Sequence, residues 1–369
     1  MEKTMNILPR AQLLGFSLLA VTALLPGAGI AYDKGEGRDP LTLSNGPVKY
    51  DSRSSRSFAF DNDILVPGSR DQDYTYGLSL SFTGGRVEDH WASLHAPLGW
   101  IEQNVGFERG VSGEIESSKI EYGLFGFTPE NIELTEPGQD DRPYASLIYV
   151  SSTRERYDPA LQVSWQSTFT LGAMGLSLVG EIQDFVHSSF DGDRPQGWQN
   201  QISDGGELTA RYSVARQRLL YQSGSGLEIK TTLQGSVGYI TEASWSLSLR
   251  TGKIQTPWIS FNPELTSYGE KSTPSDVGRV SEHYFWTGVS VKARVYNVFL
   301  QGQFKDSVVS YDSDELNHGI VEAWAGYTVA VTEGYSFTYS IRGHTSELKE
   351  GVGDRNVLWG GLQITKTFI

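Results

Sequence analysis

The chain is 369 residues long, carries a formal net charge of −14 and contains no cysteine. An acidic balance of this size argues against a nucleic-acid partner, because phosphate backbones reward clustered Lys and Arg, and no disulfide can hold an exported fold together. Only 38% of the residues are hydrophobic, yet Gly (41), Tyr (18), Phe (16) and Trp (9) are abundant. This suits a transmembrane barrel, in which every second strand residue meets lipid and aromatics collect at the two interfaces.

Residues 1–31 read as a secretory signal. Lys3 and Arg10 form a basic start, residues 13–25 an apolar run too short for an anchoring helix, and Gly29 and Ala31 supply small residues for cleavage after Ala31. No later apolar run reaches the 18 residues a spanning helix needs. Residues 32–369 then alternate. In YTYGLSLSF, Tyr74, Tyr76, Leu78, Leu80 and Phe82 share one face, against Thr75, Gly77, Ser79 and Ser81.

The stretch FDNDILVPGSRDQDYTYG (60–77) joins two such strands through oxygen-rich ends: Asp61, Asn62 and Asp63, then Asp71, Asp73 and Thr75. Hard oxygens of this kind suit Ca²⁺ or Mg²⁺. If Phe58 and Phe60 face lipid, Asp61 and Asp63 turn inward and Asn62 outward, unless the strand end re-aims it. Segments 108–118 and 264–282 are acidic and glycine-rich, and read as loops. In QDDRPYAS (139–146), Arg142 is placed to hold either a phosphate or Asp140 or Asp141.

After LGAMGLSLVG the period of two is lost. Residues 181–201 predict a short helix or lid across the mouth or lumen. Gln183 and His187 lie four apart, on one helix face, and His187 is the histidine set among the most polar groups. His90, His95, His283, His318 and His344 read as surface residues in loop-like settings. Alternation resumes in LEIKTTLQ (227–234) and YSFTYSIR (335–342), with similar patterns near 161–171, 208–214, 245–250, 289–296, 298–305, 321–331 and 358–368. The last segment ends LQITKTFI, close to the terminal strand of outer-membrane proteins. The count predicts an all-β antiparallel transmembrane barrel of about twelve strands.

The pair Asn62-Asp63, DYTYG (73–77), DDRPYA (140–145), Gln183-x-x-x-His187 and the run from Pro195 to Gln201 occur in order along the chain. Together they resemble the outer-membrane lipid A 3′-O-deacylase family. The resemblance implies a Ca²⁺-dependent hydrolase in the bacterial outer membrane. It would cleave the ester of the 3′-linked acyl or acyloxyacyl group of lipid A, the lipid moiety of lipopolysaccharide, in the outer leaflet. It also implies His187 as general base, Gln183 as a positioning residue, Thr75 as a lumen-side active-site residue, and Asn62 with Asp63 supporting the metal. Asp193 stands where the family has a glutamate ligand, and the segment ENIELTEPGQDD (130–141) before Arg142 holds no Lys or Arg. Two other classes fit a polar-lined barrel: an outer-membrane phospholipase and a non-enzymatic porin. No GxSxG marks a serine hydrolase.

Overall fold

The structure, a computed structural model, describes residues 54–66, 73–135, 138–181, 183, 195–224, 226–268, 270–271, 281–331 and 334–368. The signal segment 1–31, Asp71, His187 and Asp193 lie outside the described residues. Twelve strands follow one another: β1 (Ser54–Asn62), β2 (Asp73–Thr83), β3 (Glu114–Thr128), β4 (Ala145–Asp158), β5 (Val163–Met174), β6 (Glu207–Ser223), β7 (Leu227–Gly238), β8 (Ile240–Lys253), β9 (Glu282–Asn297), β10 (Gly319–Val331), β11 (Tyr335–His344) and β12 (Val357–Phe368). Each pairs antiparallel with its neighbour, and β1 closes on β12 with Ser54 opposite Phe368 and Asn62 opposite Gly360. Closure leaves no edge, so every strand can meet its backbone hydrogen bonds inside lipid.

The alternation sorts the side chains. On β10, Val321, Ala323, Tyr327 and Val331 are exposed, whereas Glu322, Trp324 and Thr328 are buried in the lumen. On β7, Glu228, Lys230 and Thr232 turn inward, as the sequence predicts. The lumen is therefore polar but not empty. Arg294 meets Glu242 at 2.8 Å, Lys230 meets Glu264 at 2.9 Å, and Arg342 is bonded to Glu322.

Both termini of the barrel lie at one end. Three connections there, 159–162, 224–226 and 332–334, are short and two, 84–113 and 254–281, are long, whereas the opposite end carries 129–144, 175–206, 298–318 and 345–356 beside the short 63–72 and 239. Short turns mark the periplasmic end of such barrels.

Three expectations are corrected. Residues 298–305 are not a strand: Asn297 caps α3 (Val298–Gln301), with its Oδ1 accepting from Phe299 N at 3.1 Å, and Val298, Phe299 and Leu300 are all buried, so no alternation exists. Segment 108–118 is a loop only in part. Helix α2 (Phe107–Gly110), which follows helix α1 (His95–Asn104), takes up its first residues, and β3 begins at Glu114. His95 and His344 are buried rather than on the surface. His95 opens α1 against Thr153 O at 3.2 Å, and His344 ends β11 with Nδ1 2.8 Å from Thr345 O. The loop expected at 264–282 is met over 264–268 and 270–271, which lie inside the barrel, whereas 269 and 272–280 lie outside the described residues. Residues 254–271 enter the lumen from the terminus-bearing end, where Glu264 and Glu270 pair with Lys230 and Arg211 and Lys271 pairs with Asp61.

Candidate functional site

Where β2 begins, its register against β3 slips between Tyr74 and Tyr76. Such a bulge sets two residues against one and re-aims their side chains. Tyr74 consequently turns into the lumen, 5.0 Å (ring centroids) from Trp359 and 5.7 Å from Tyr268, instead of sharing a face with Leu78 and Leu80. The Thr75 hydroxyl meets that of Thr128 at 2.5 Å. Phe125 and Phe127 pack inside, so by parity Thr128 belongs with Leu124 and Gly126 on the outer wall. Thr75 is thus a wall-side rather than a lumen-side residue, and the bulge is the reason.

Asn62, at the end of β1, also points outward. Its Oδ1 accepts from Ile64 N at 2.8 Å, capping the single 3-10 turn of Asp63–Leu65, and its Nδ2 donates to Thr75 O at 2.6 Å. One carboxamide therefore fixes both the turn and the bulge. Asp61 turns into the lumen and is bonded to Lys271, while Asp63 is buried within the turn. The turn leans on the wall: Tyr339, outward on β11, donates its hydroxyl to Leu65 O at 2.7 Å.

Residues 177–181 are helical, as is 183. The described residues of this helix lie on the wall rather than across the lumen, and most of the helix or lid expected at 181–201 (182 and 184–194) lies outside the described residues. Val179 and Trp198 pack with Tyr76 and Tyr144 against Leu124 and Ile148, all on the outer wall of β2–β4. The Tyr76 hydroxyl donates to Val179 O at 2.7 Å. Gly126 and Gly180 allow the approach, since a Cβ at Gly126 would lie 3.2 Å from the Trp198 ring and one at Gly180 2.8 Å from its Cγ. Gln183 is 3% exposed; its Oε1 accepts from Trp198 Nε1 at 2.7 Å, and its Nε2 has no partner among the described residues. Asn62, Thr75 and Gln183 therefore lie on one patch of the outer wall at the far rim, with Asp63 buried in the adjoining turn. Thr128, Tyr76 and Val179 complete it. Of these, Tyr76 stands beside Thr75 in DYTYG, whereas Thr128 shows only as the residue before Pro129.

Arg142 does not join them. It is buried in the mouth with its guanidinium 4.6 Å over the Phe127 ring, bonded to Glu347 and 3.5 Å from Asp73. Asp141 instead accepts from the Arg142 backbone N–H at 2.7 Å and pairs with Arg355 at 2.8 Å. Burial alone would lower the Arg142 guanidinium, but Glu347 and Asp73 keep it firmly protonated. Among the described residues, no three His, Asp or Glu are grouped to hold a metal.

The family described as outer membrane protein LpxR matches residues 16–368. Among solved structures, LpxR from Salmonella typhimurium aligns at 15% identity over 85% of this chain and 100% of its own, with a TM-score of 0.65. An outer membrane channel from Pseudomonas putida F1 aligns at 8% identity over 90% of this chain and 100% of its own, with a TM-score of 0.40. The β domain of the Bordetella autotransporter BrkA follows at 12%, 85%, 98% and 0.38. No curated protein matches by sequence. The chain is an outer-membrane β-barrel and belongs to the LpxR outer membrane protein family.

Proposed function

We propose that this protein is a Ca²⁺-dependent ester hydrolase that removes the 3′-linked acyl or acyloxyacyl group from lipid A in the outer leaflet. The observation that carries this reading is the position of the patch. Asn62, Thr75 and Gln183 sit on the outer wall at the far rim, facing the layer where an amphiphile keeps its acyl esters, and not in the lumen. A lumen crossed by ion pairs and occupied by 254–271 offers little to a porin. Membership of the LpxR family supports lipid A as the substrate class.

His187 follows Gln183 by four residues in the sequence, and as general base it takes a proton from the attacking water. Gln183 Nε2 supplies a buried donor with no partner among the described residues. Asn62 acts through Thr75, holding the bulge that brings the Thr75 hydroxyl to the wall. Asp63 and Asp193 are hard oxygen donors of the kind Ca²⁺ prefers, and backbone or water oxygens would complete the set. Bound there, the ion would lend positive charge to the oxyanion that forms on the ester carbonyl.

Mass spectrometry of lipid A incubated with the folded protein and Ca²⁺ tests this. The expected product has lost one 3′-linked acyl or acyloxyacyl group. His187→Ala should slow turnover by roughly 10²–10⁴-fold, the usual worth of a general base. Its gel mobility should still differ between unheated and boiled samples, showing an intact barrel. Turnover of phospholipid but not of lipid A would replace this reading by the phospholipase. Normal turnover by His187→Ala would remove the mechanism, and full activity in chelator would remove the metal.

A further inference from the structure

Basic residues on the two faces of the barrel are treated differently. In the lumen, Lys230, Arg250, Arg294 and Arg342 each have a carboxylate partner. On the outer wall at the terminus-bearing end, two rows of cations and aromatics run across neighbouring strands in register. In the first row, Phe82, Arg56, Lys366 and Tyr335 lie side by side on β2, β1, β12 and β11. The Arg56 guanidinium stands 6.0 Å from the Phe82 ring and 5.2 Å from that of Phe368, and Lys366 Nζ is 3.8 Å over Tyr335.

The second row is Arg156, Trp165 and Arg216 on β4, β5 and β6; Trp165 is itself buried against Phe107, and Arg216 lies 5.7 Å over its ring. Parity turns this row outward, because Gln217, the next residue, reaches into the lumen to Asn262 at 3.0 Å. Helices α1 and α2 cover part of this wall through Leu98 and Phe107, and they leave Trp100 66% exposed toward the same side. Arg154 on this wall is paired with Glu88 and Glu102, at 3.5 and 2.9 Å, but neither Arg56 nor Arg216 has a carboxylate partner among the described residues.

A lipid-facing arginine is costly at mid-bilayer and tolerable at the interface, where a ring edge and a phosphate can both be reached. Aromatics beside Arg56 and Arg216, two arginines without a carboxylate on the lipid side of the strands, call for an anion supplied by the membrane itself. We propose that the two rows bind head groups of anionic phospholipid in the leaflet at the terminus-bearing end, with Arg56 and Arg216 as the phosphate clamps. This site lies at the opposite end of the strands from the Thr75 patch and does not depend on the proposed hydrolysis.

Native mass spectrometry of the detergent-extracted full-length protein, offered phosphatidylglycerol or phosphatidylcholine, tests the proposal. The wild type should retain phosphatidylglycerol preferentially. Each of Arg56→Gln and Arg216→Gln should cut that preference about five-fold, the usual worth of one basic residue near an anionic surface. The conservative Arg216→Lys should keep most of it, and Lys349→Gln, in a loop at the far end, should change nothing. The heat shift on gels verifies that each variant is folded. Equal retention of the two lipids by the wild type would overturn the proposal, as would undiminished preference in the folded glutamine variants. Displacement of the bound lipid by inorganic phosphate at matched ionic strength would also overturn it, since a free ion would then be the ligand.

Discussion

Glu347 accepts hydrogen bonds from Arg142, Arg294, Tyr268 (3.0 Å) and Asn297 (2.8 Å) in the mouth of the barrel. Burial by itself would raise the Glu347 carboxyl, but the two guanidinium groups overrule it and hold it well below the usual carboxylate range. The folded value is thus depressed. The stabilisation is present above the unfolded value of about 4.3 and is lost as pH falls through the folded one. Glu347→Gln should lower the temperature at which the gel mobility changes at pH 7, because it leaves Arg142 and Arg294 without their carboxylate, a loss on the order of 3 kcal/mol. The gap between wild type and variant should narrow on acidification below about pH 4. A gap that widens in acid, or none at pH 7, would contradict this assignment. The sequence shows Arg142 beside two aspartates, but its chosen partner lies 205 positions away, and nothing local announces it.

Docking of the 177–183 helix on the wall rests on small residues meeting a large one. Trp198 is wedged beside Tyr144 at 4.9 Å between ring centroids, and Gly180 passes across the indole. Gly180→Ala puts a Cβ 2.8 Å from Trp198 Cγ, a contact that rigid rings relieve only by moving apart. The variant should lose lipid A turnover while its heat shift is retained, because the displaced helix carries Gln183 and contributes little to barrel closure. Turnover equal to wild type would show that this docking does not shape the site. Strands were legible in the sequence because lipid on one side and water or charge on the other impose a period of two, as Glu228 and Lys230 against Leu227 and Ile229 illustrate. The Asn62–Thr75 pairing was legible only as two motifs. Their meeting on the outer wall depends on a single bulge, which a run of Asp-Tyr-Thr-Tyr-Gly does not declare. Parity carried past that bulge assigns Tyr74 and Thr75 to the wrong sides.

Across the whole molecule, residues 254–271 decide what kind of barrel this is. They leave β8 at the terminus-bearing end and rise until Tyr268 stacks among Tyr74, Phe127 and Trp359 and donates to Glu347 of the far-end 345–356 segment. On the way, Lys230 holds Glu264 and the Asn262 carboxamide (2.8 Å), Arg211 holds Glu270, and Asp61 holds Lys271. Sequence composition marks this segment as a polar loop because its polar groups do face polar groups; the partners happen to be lumen walls instead of water. Twelve strands enclose room for water once such a filling is removed. Replacing 256–280 by a short Gly-Ser linker should therefore turn a poorly conducting protein into one with steady conductance in planar bilayers. It should also weaken lipid A turnover, since Tyr74, next to Thr75 in the bulge, loses the Tyr268 ring behind it. Retention of the heat shift would show that the strands still close. A folded variant that conducts no better than wild type would mean that the lumen is blocked by its own wall residues and that the inserted segment only buttresses the bulge.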